Sequence, residues 1–220
     1  MKAGFHTPTT ADGFALPVYL AEPDGAARGH VLVIQEIFGP TANMKRIADS
    51  LADAGYRAAL PDLFARTGRS EPVSYGDPET GLALVGLLDP AGTDADLDAA
   101  LDLLGDPQRT GVLGFCWGGG LAWRTGARRQ LPATVCYYPT RMSRHLPLAP
   151  DGEALVHLAE GDRHTPPGIV EAMRAAKPDL TVLRWKGEHG FHNPDRDGYA
   201  PGPAKAAWEA TLEVFGRVLG

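Results

Sequence analysis

"RTGVLGFCWGGG", residues 109–120, passes from a short apolar run into glycine, with one cysteine at the joint. Gly111 to Phe115 has the unbroken apolar character of a strand buried on both faces. The stretch that follows, WGGGLAWRTGARR (117–129), reads as a helix. Cys116 therefore stands at a strand-to-helix turn, with Gly114 and Gly118 two residues away on either side. That is the G-x-nucleophile-x-G spacing of a nucleophile elbow, whose central residue is backbone-strained and whose neighbours must lack bulk for the turn to close. At a helix N-terminus, the dipole and the free N–H groups favour thiolate over thiol. The competing reading is a small buried cysteine in a dinucleotide-type turn. It requires G-x-G-x-x-G, which is absent.

The segments on either side repeat the alternation. HVLVIQ (30–35) is a strand that breaks off at Glu36 into EIFGPTAN, and Met44, Ile47, Ala48, Leu51 and Ala52 then recur at helical spacing up to Gly55. YRAALP (56–61) is the next strand. DLFARTGRSEPVSYGDPETG is polar and turn-rich, an excursion over the surface. DADLDAALDLLG (94–105) reads as a helix with acidic residues in its first turn, where the dipole favours them. ATVCYY (133–138), ALVHLAE (154–160) and LTVLRW (180–185) are strands, with a helix around 168–176 and an amphipathic closing helix in PGPAKAAWEATLEVFGRVLG. Strands alternating with helices predict an α/β fold: a mostly parallel sheet covered on both faces, in one domain over 1–220. Ligands in such sheets bind outside the carboxyl ends of the strands, where each motif discussed below falls.

Composition narrows the function. A net charge of −6 argues against nucleic acid and anionic membrane surfaces as partners. Neither a signal-peptide run nor a membrane span is visible, and two cysteines without a C-x-x-C pattern suit free thiols in a reducing cytoplasm. No motif calls for a cofactor or a metal. Whether the chain is a monomer or a dimer is not written in the sequence.

A nucleophile needs a base, and the base needs a group to orient it. In α/β-hydrolase architecture these follow in the order nucleophile, acid, histidine, each on a loop after a strand. Asp162 in EGDRHTPP follows one strand, and KGEHGFHN, with His189 and His192, follows the next. Asp162 is preferred over Glu160 because it lies past the strand end beside Gly161, where a turn aims a short carboxylate. His157 falls inside a strand and reads as core, and His164 lies on the acid's own loop. His189 and His192 both remain open as the base. Glu36 ends the first of these strands; the loop it opens supplies one oxyanion-hole N–H in such folds, that of Ile37, with the other from Trp117. Its carboxylate would come close to Cys116 and gate the thiol.

Taken together, VIQEIFG, GYRAALPDLFAR, GFCWGGG, CYYP, EGDRHTPP and EHGFHN, followed by YAPGPAKAAWEATLEVF, resemble the dienelactone hydrolase family. The resemblance implies an α/β-hydrolase fold without a cap domain and a Cys–His–Asp triad acting on small esters or lactones. Its H-G-F pattern selects His189 over His192, and it carries the loop glutamate onto Glu36. The family's substrate-holding arginines are not matched: SEPVSYGDPETGLALVGLLDP (70–90) has no Arg or Lys, and Asn193 stands near the second position. Arg141, Arg144 and Arg196 are the nearest substitutes, and neutral substrates are the expected preference. Tyr75, Tyr137, Arg141, Phe191 and Asn193 are the expected substrate contacts. The alternative from another class is a catalytically silent α/β-hydrolase fold that binds a small molecule or a protein.

Overall fold

The computed structural model describes residues 1–220. They divide into two compact units, Met1–Thr110 and Gly111–Gly220. In the first unit the elements are β1 (Lys2–His6), β2 (Val18–Glu22), β3 (Gly29–Ile34), α1 (Ala42–Asp53), β4 (Tyr56–Pro61), α2 (Pro78–Leu87) and α3 (Pro90–Leu104). The strands run in the order β1-β2-β4-β3. β2 is antiparallel to both β1 and β4, whereas β3 and β4 are parallel. Val31, Leu32, Val33 and Ile34 of β3 are fully buried, as befits an apolar run in a parallel pair. The apolar stripe of α1 (Met44, Ile47, Ala48, Leu51, Ala52) is buried, and the Thr41 hydroxyl caps the helix by accepting the Met44 N–H.

Three features of this unit depart from the sequence reading. Part of the expected excursion is helix α2, entered through Asp77, which accepts the Thr80 N–H, and Pro78 at the first turn. Its apolar residues give no one-sided stripe because Leu82 and Leu87 point outward, 49% and 73% exposed. Helix α3 begins at Pro90, earlier than the acidic run, and Asp89 caps it by accepting the Gly92 N–H. No acidic residue therefore occupies its first turn. Asp96 is instead buried mid-helix, where Arg66 grips it with two bonds of 2.8 and 2.9 Å. The β1–β2 hairpin is also unforeseen, since β1 is exposed along most of its length and shows no alternation.

The second unit contains β5 (Thr110–Phe115, which begins at the boundary), α4 (Trp117–Arg128), β6 (Ala133–Tyr137), β7 (Glu153–Ala159), α5 (Ile169–Ala176), β8 (Thr181–Trp185) and α6 (Pro201–Val218). The four strands lie side by side in chain order, all parallel. β5 and β6 are buried at every position. Helix α4 packs on β6, and α6 packs on β6, β7 and β8. No helix of the chain is long and apolar enough to cross a membrane.

A fully satisfied polar network ties α6 to the sheet. Trp185 Nε1 donates to His157 Nδ1 at 3.0 Å, which leaves the His157 proton on Nε2, 3.1 Å from the Thr211 hydroxyl. Thr211 donates onward to the Ala207 carbonyl, so it accepts from both His157 and the Tyr137 hydroxyl, the latter at 2.7 Å. Burial, with the charge of His192, pushes the His157 pKa down to about 3, so the ring is neutral as this pattern requires. Thr211→Val would strand two buried donors. The expected loss is about 2–4 kcal/mol in urea unfolding, and a loss below about 1 kcal/mol would show the network to be dispensable.

Candidate active site

β5 delivers Cys116 to a turn in which its backbone adopts φ 56° and ψ −118°, a conformation that L residues rarely take. Three hydrogen bonds hold it there. The Cys116 N–H donates to the Tyr137 carbonyl, and the Cys116 carbonyl accepts from both Gly119 and Thr140, each at 3.0 Å. The glycine before the cysteine is explained by contact: a Cβ on Gly114 would lie 2.0 Å from the Gly118 carbonyl oxygen. Helix α4 starts at the next residue, Trp117. Cys116 is 7% exposed, and both it and Cys136 are free thiols.

The loops after β7 and β8 bring a carboxylate and an imidazole to this turn. Asp162 Oδ2 lies 2.9 Å from His189 Nδ1, and Asp162 Oδ1 accepts the His164 N–H at 2.8 Å. The Cys116 side chain also acts on the His189 ring. Burial pulls the His189 pKa down, but the hydrogen bonds and charges of Asp162 and Cys116 outweigh it and raise the pKa to about 10. For Asp162, burial pushes upward, but the His189 ring and the His164 amide prevail, so its carboxyl sits below the ordinary range. Asp162 and His189 form a hydrogen-bonded pair, and the Cys116 side chain acts on the same ring.

The rivals fall elsewhere. His192 packs its ring against Phe115, Tyr137 and Trp208, at centroid distances of 5.6, 4.9 and 5.9 Å. Burial lowers its pKa to about 4. Glu160 is exposed at the end of β7, its N–H bonded to the Trp185 carbonyl.

With this geometry in view, the comparisons are decisive. The model of the dienelactone hydrolase family matches residues 16–219. The chain belongs to the dienelactone hydrolase family. A provisionally named carboxymethylenebutenolidase of Salmonella typhimurium is 34% identical over 97% of this chain and 87% of the relative. The carboxymethylenebutenolidase of Pseudomonas putida is 28% identical over 93% and 92%. A crystal structure of a provisionally named dienelactone hydrolase from Klebsiella pneumoniae superposes with a TM-score of 0.87 at 28% identity, covering 98% of each chain. The fold is the α/β-hydrolase fold, and the chain is a hydrolase of dienelactone hydrolase type.

The other residues singled out in this family member are placed as follows. Glu36, two residues past the end of β3, is 1% exposed, and its carbonyl accepts the Gly39 N–H. The Ile37 carbonyl is overlain by Gly81 of α2, where a Cβ would come within 2.3 Å. Tyr75 leans on Phe38 at 4.9 Å, and its hydroxyl bonds the Thr41 hydroxyl at 2.9 Å. Tyr137 and Phe191 are fully buried, Tyr137 within the Thr211 network, so neither presents surface to a ligand here. Asn193 is fully buried as well, and its side-chain oxygen accepts the Asp195 N–H. Arg141 is exposed, one residue past Thr140. Two further rings flank His189, those of Tyr138 and His164, at 5.0 and 4.7 Å; His164 is the histidine that the sequence placed on the acid's own loop.

Proposed function

We propose that the chain hydrolyses small carboxylic esters and lactones through Cys116, His189 and Asp162, by way of a thioester on Cys116. The observation that supports this most is the Asp162–His189 hydrogen bond, on a ring that the Cys116 side chain also influences from a strained turn. His189 takes the thiol proton, and Asp162 stabilises the imidazolium that results. The sulfur attacks the ester carbonyl, and the developing oxyanion turns to the Trp117 amide at the head of α4. As the tetrahedral intermediate collapses, the C–O bond breaks and His189 returns the proton to the departing alkoxide. Water then gives a proton to His189 and its oxygen to the acyl carbon. The C–S bond breaks, and the proton goes back to sulfur.

On the family resemblance rest two further assignments, the Ile37 amide as second oxyanion donor and Glu36 as the carboxylate that governs the thiol. The relatives' names point to lactones. The absence of Arg and Lys over residues 70–90 supports a preference for uncharged substrates over carboxylated ones. The direct test is acid quench of the protein during turnover of p-nitrophenyl acetate, followed by peptide mass spectrometry. An added acetyl group on the Cys116 peptide, labile to hydroxylamine, is the expected result. Turnover with no acyl adduct at any quench time, or with the adduct elsewhere, would refute the covalent route.

A further inference from the structure

We infer that His164 is a positioning residue for His189 whose effect falls on the second half of the reaction, the release of the acyl group. The inference rests on the thioester reading given above.

The geometry begins with the Asp162 carboxylate. One oxygen takes the His189 ring nitrogen and the other takes the His164 backbone N–H. That second bond folds the loop so that the His164 ring stands 4.7 Å from the His189 ring, at 64° to it. Tyr138 stands at 5.0 Å and 62°, fully buried at the end of β6. In the free enzyme, the His189 ring is thus held at Nδ1 by Asp162 and along its sides by two near-perpendicular rings, and it interacts with the Cys116 side chain.

Acylation changes this balance. Once the sulfur carries an acyl group it has no proton to share and no negative charge, so the Cys116 restraint is lost. Asp162 still fixes one nitrogen, but rotation about that bond is opposed only by packing. His189 must nevertheless keep Nε2 aimed at the attacking water, whose proton it removes. The flanking rings are what remain to hold it, and of the two His164 is the exposed one.

The ring must also be uncharged. Burial lowers its pKa, and of the charged groups around it His189, Arg163 and Arg196 act in the same direction while Asp162 alone opposes them. His164 is therefore neutral at neutral pH. A positive charge there would lower the proton affinity of His189, the group that must take up the proton.

The test separates formation of the thioester from its decay. Wild type, His164→Phe and His164→Ala are mixed with p-nitrophenyl acetate in a stopped-flow instrument, and the Cys116 adduct is then followed after gel filtration by quench and mass spectrometry. The backbone N–H to Asp162 is retained in both variants. An edge-to-face ring contact is worth enough to change a rate about two- to tenfold. In His164→Ala, thioester decay is expected to slow by about that factor while formation stays within twofold of wild type. His164→Phe, which keeps the ring and removes titration, should restore decay. Decay within twofold of wild type in the alanine variant overturns the inference, as does equal slowing of both steps or failure of phenylalanine to rescue. Those outcomes leave the thioester itself in place. A wild-type enzyme that turns over without a thioester removes the covalent reading and this inference together.

Discussion

Cys116→Ala is expected to lower kcat on p-nitrophenyl acetate by about 10⁴–10⁶-fold, the loss seen when the nucleophile of a coupled hydrolase triad is removed. The variant should fold. Alanine at φ 56° bears the same backbone strain as cysteine, and the three bonds that hold the turn come from main-chain groups. The other thiol is no substitute, because Cys136 is fully buried and burial pushes its pKa far up. Residual activity would then come from binding, the Trp117 amide and direct deprotonation of water by His189. Circular dichroism and thermal unfolding unchanged within about 1 kcal/mol, together with kcat above about 1% of wild type, would place the chemistry on another group.

How much of this was legible in the sequence depends on what each residue must contact. The second unit reads well because β5, β6 and β7 are buried at nearly every position and α5 buries one apolar side, so periodicity and burial agree there; β8 is legible from its apolar, β-branched composition although none of its residues is fully buried. The elbow reads well for a local reason: a Cβ on Gly114 would collide with the Gly118 carbonyl, and that constraint is contained within five residues. The first unit hides more. α2 combines apolar composition with an exposed face, and α3 buries Asp96 against Arg66, thirty residues away, so an acidic run that suggested a helix start lies mid-helix. β1 has little buried surface to impose a pattern.

At the site, chain order singled out Asp162 and both histidines, but the residues themselves did not separate His189 from His192. The difference is tertiary, since it lies in whether a ring meets Asp162 or meets Phe115, Tyr137 and Trp208. The same limit explains Tyr137 and Phe191. An aromatic at a strand end looks identical whether it faces a ligand or the core.

His189→Ala and His192→Ala should therefore fail in different ways, and pH distinguishes them a second time. Removing His189 is expected to cost about 10⁴–10⁶ in kcat, comparable to loss of the nucleophile because the pair acts as a unit. Removing His192 should leave kcat within about tenfold but open a cavity among three aromatic rings, a loss of about 2–4 kcal/mol in urea unfolding. Stability then follows from linkage. The His189 pKa is raised in the folded state, to about 10, so its contribution is fully present below about pH 6.5 and fades as pH climbs toward 10. Asp162, lowered by the same partnership, contributes above about pH 4 and fades as pH falls below it. The stability gap between wild type and His189→Ala should accordingly be widest at pH 4–6.5 and narrow by pH 10. His192, with its pKa lowered to about 4, shows the reverse. The unfolded chain takes up a proton below about pH 6.5 that the folded chain refuses, so the gap for His192→Ala is constant at alkaline pH and shrinks on acidification. A larger kcat loss in His192→Ala than in His189→Ala would exchange their roles. A His189→Ala gap that stayed flat from pH 6 to pH 10 would mean that the imidazole is not held protonated by Asp162 and Cys116, and the ion-pair basis of the proposed mechanism would go with it.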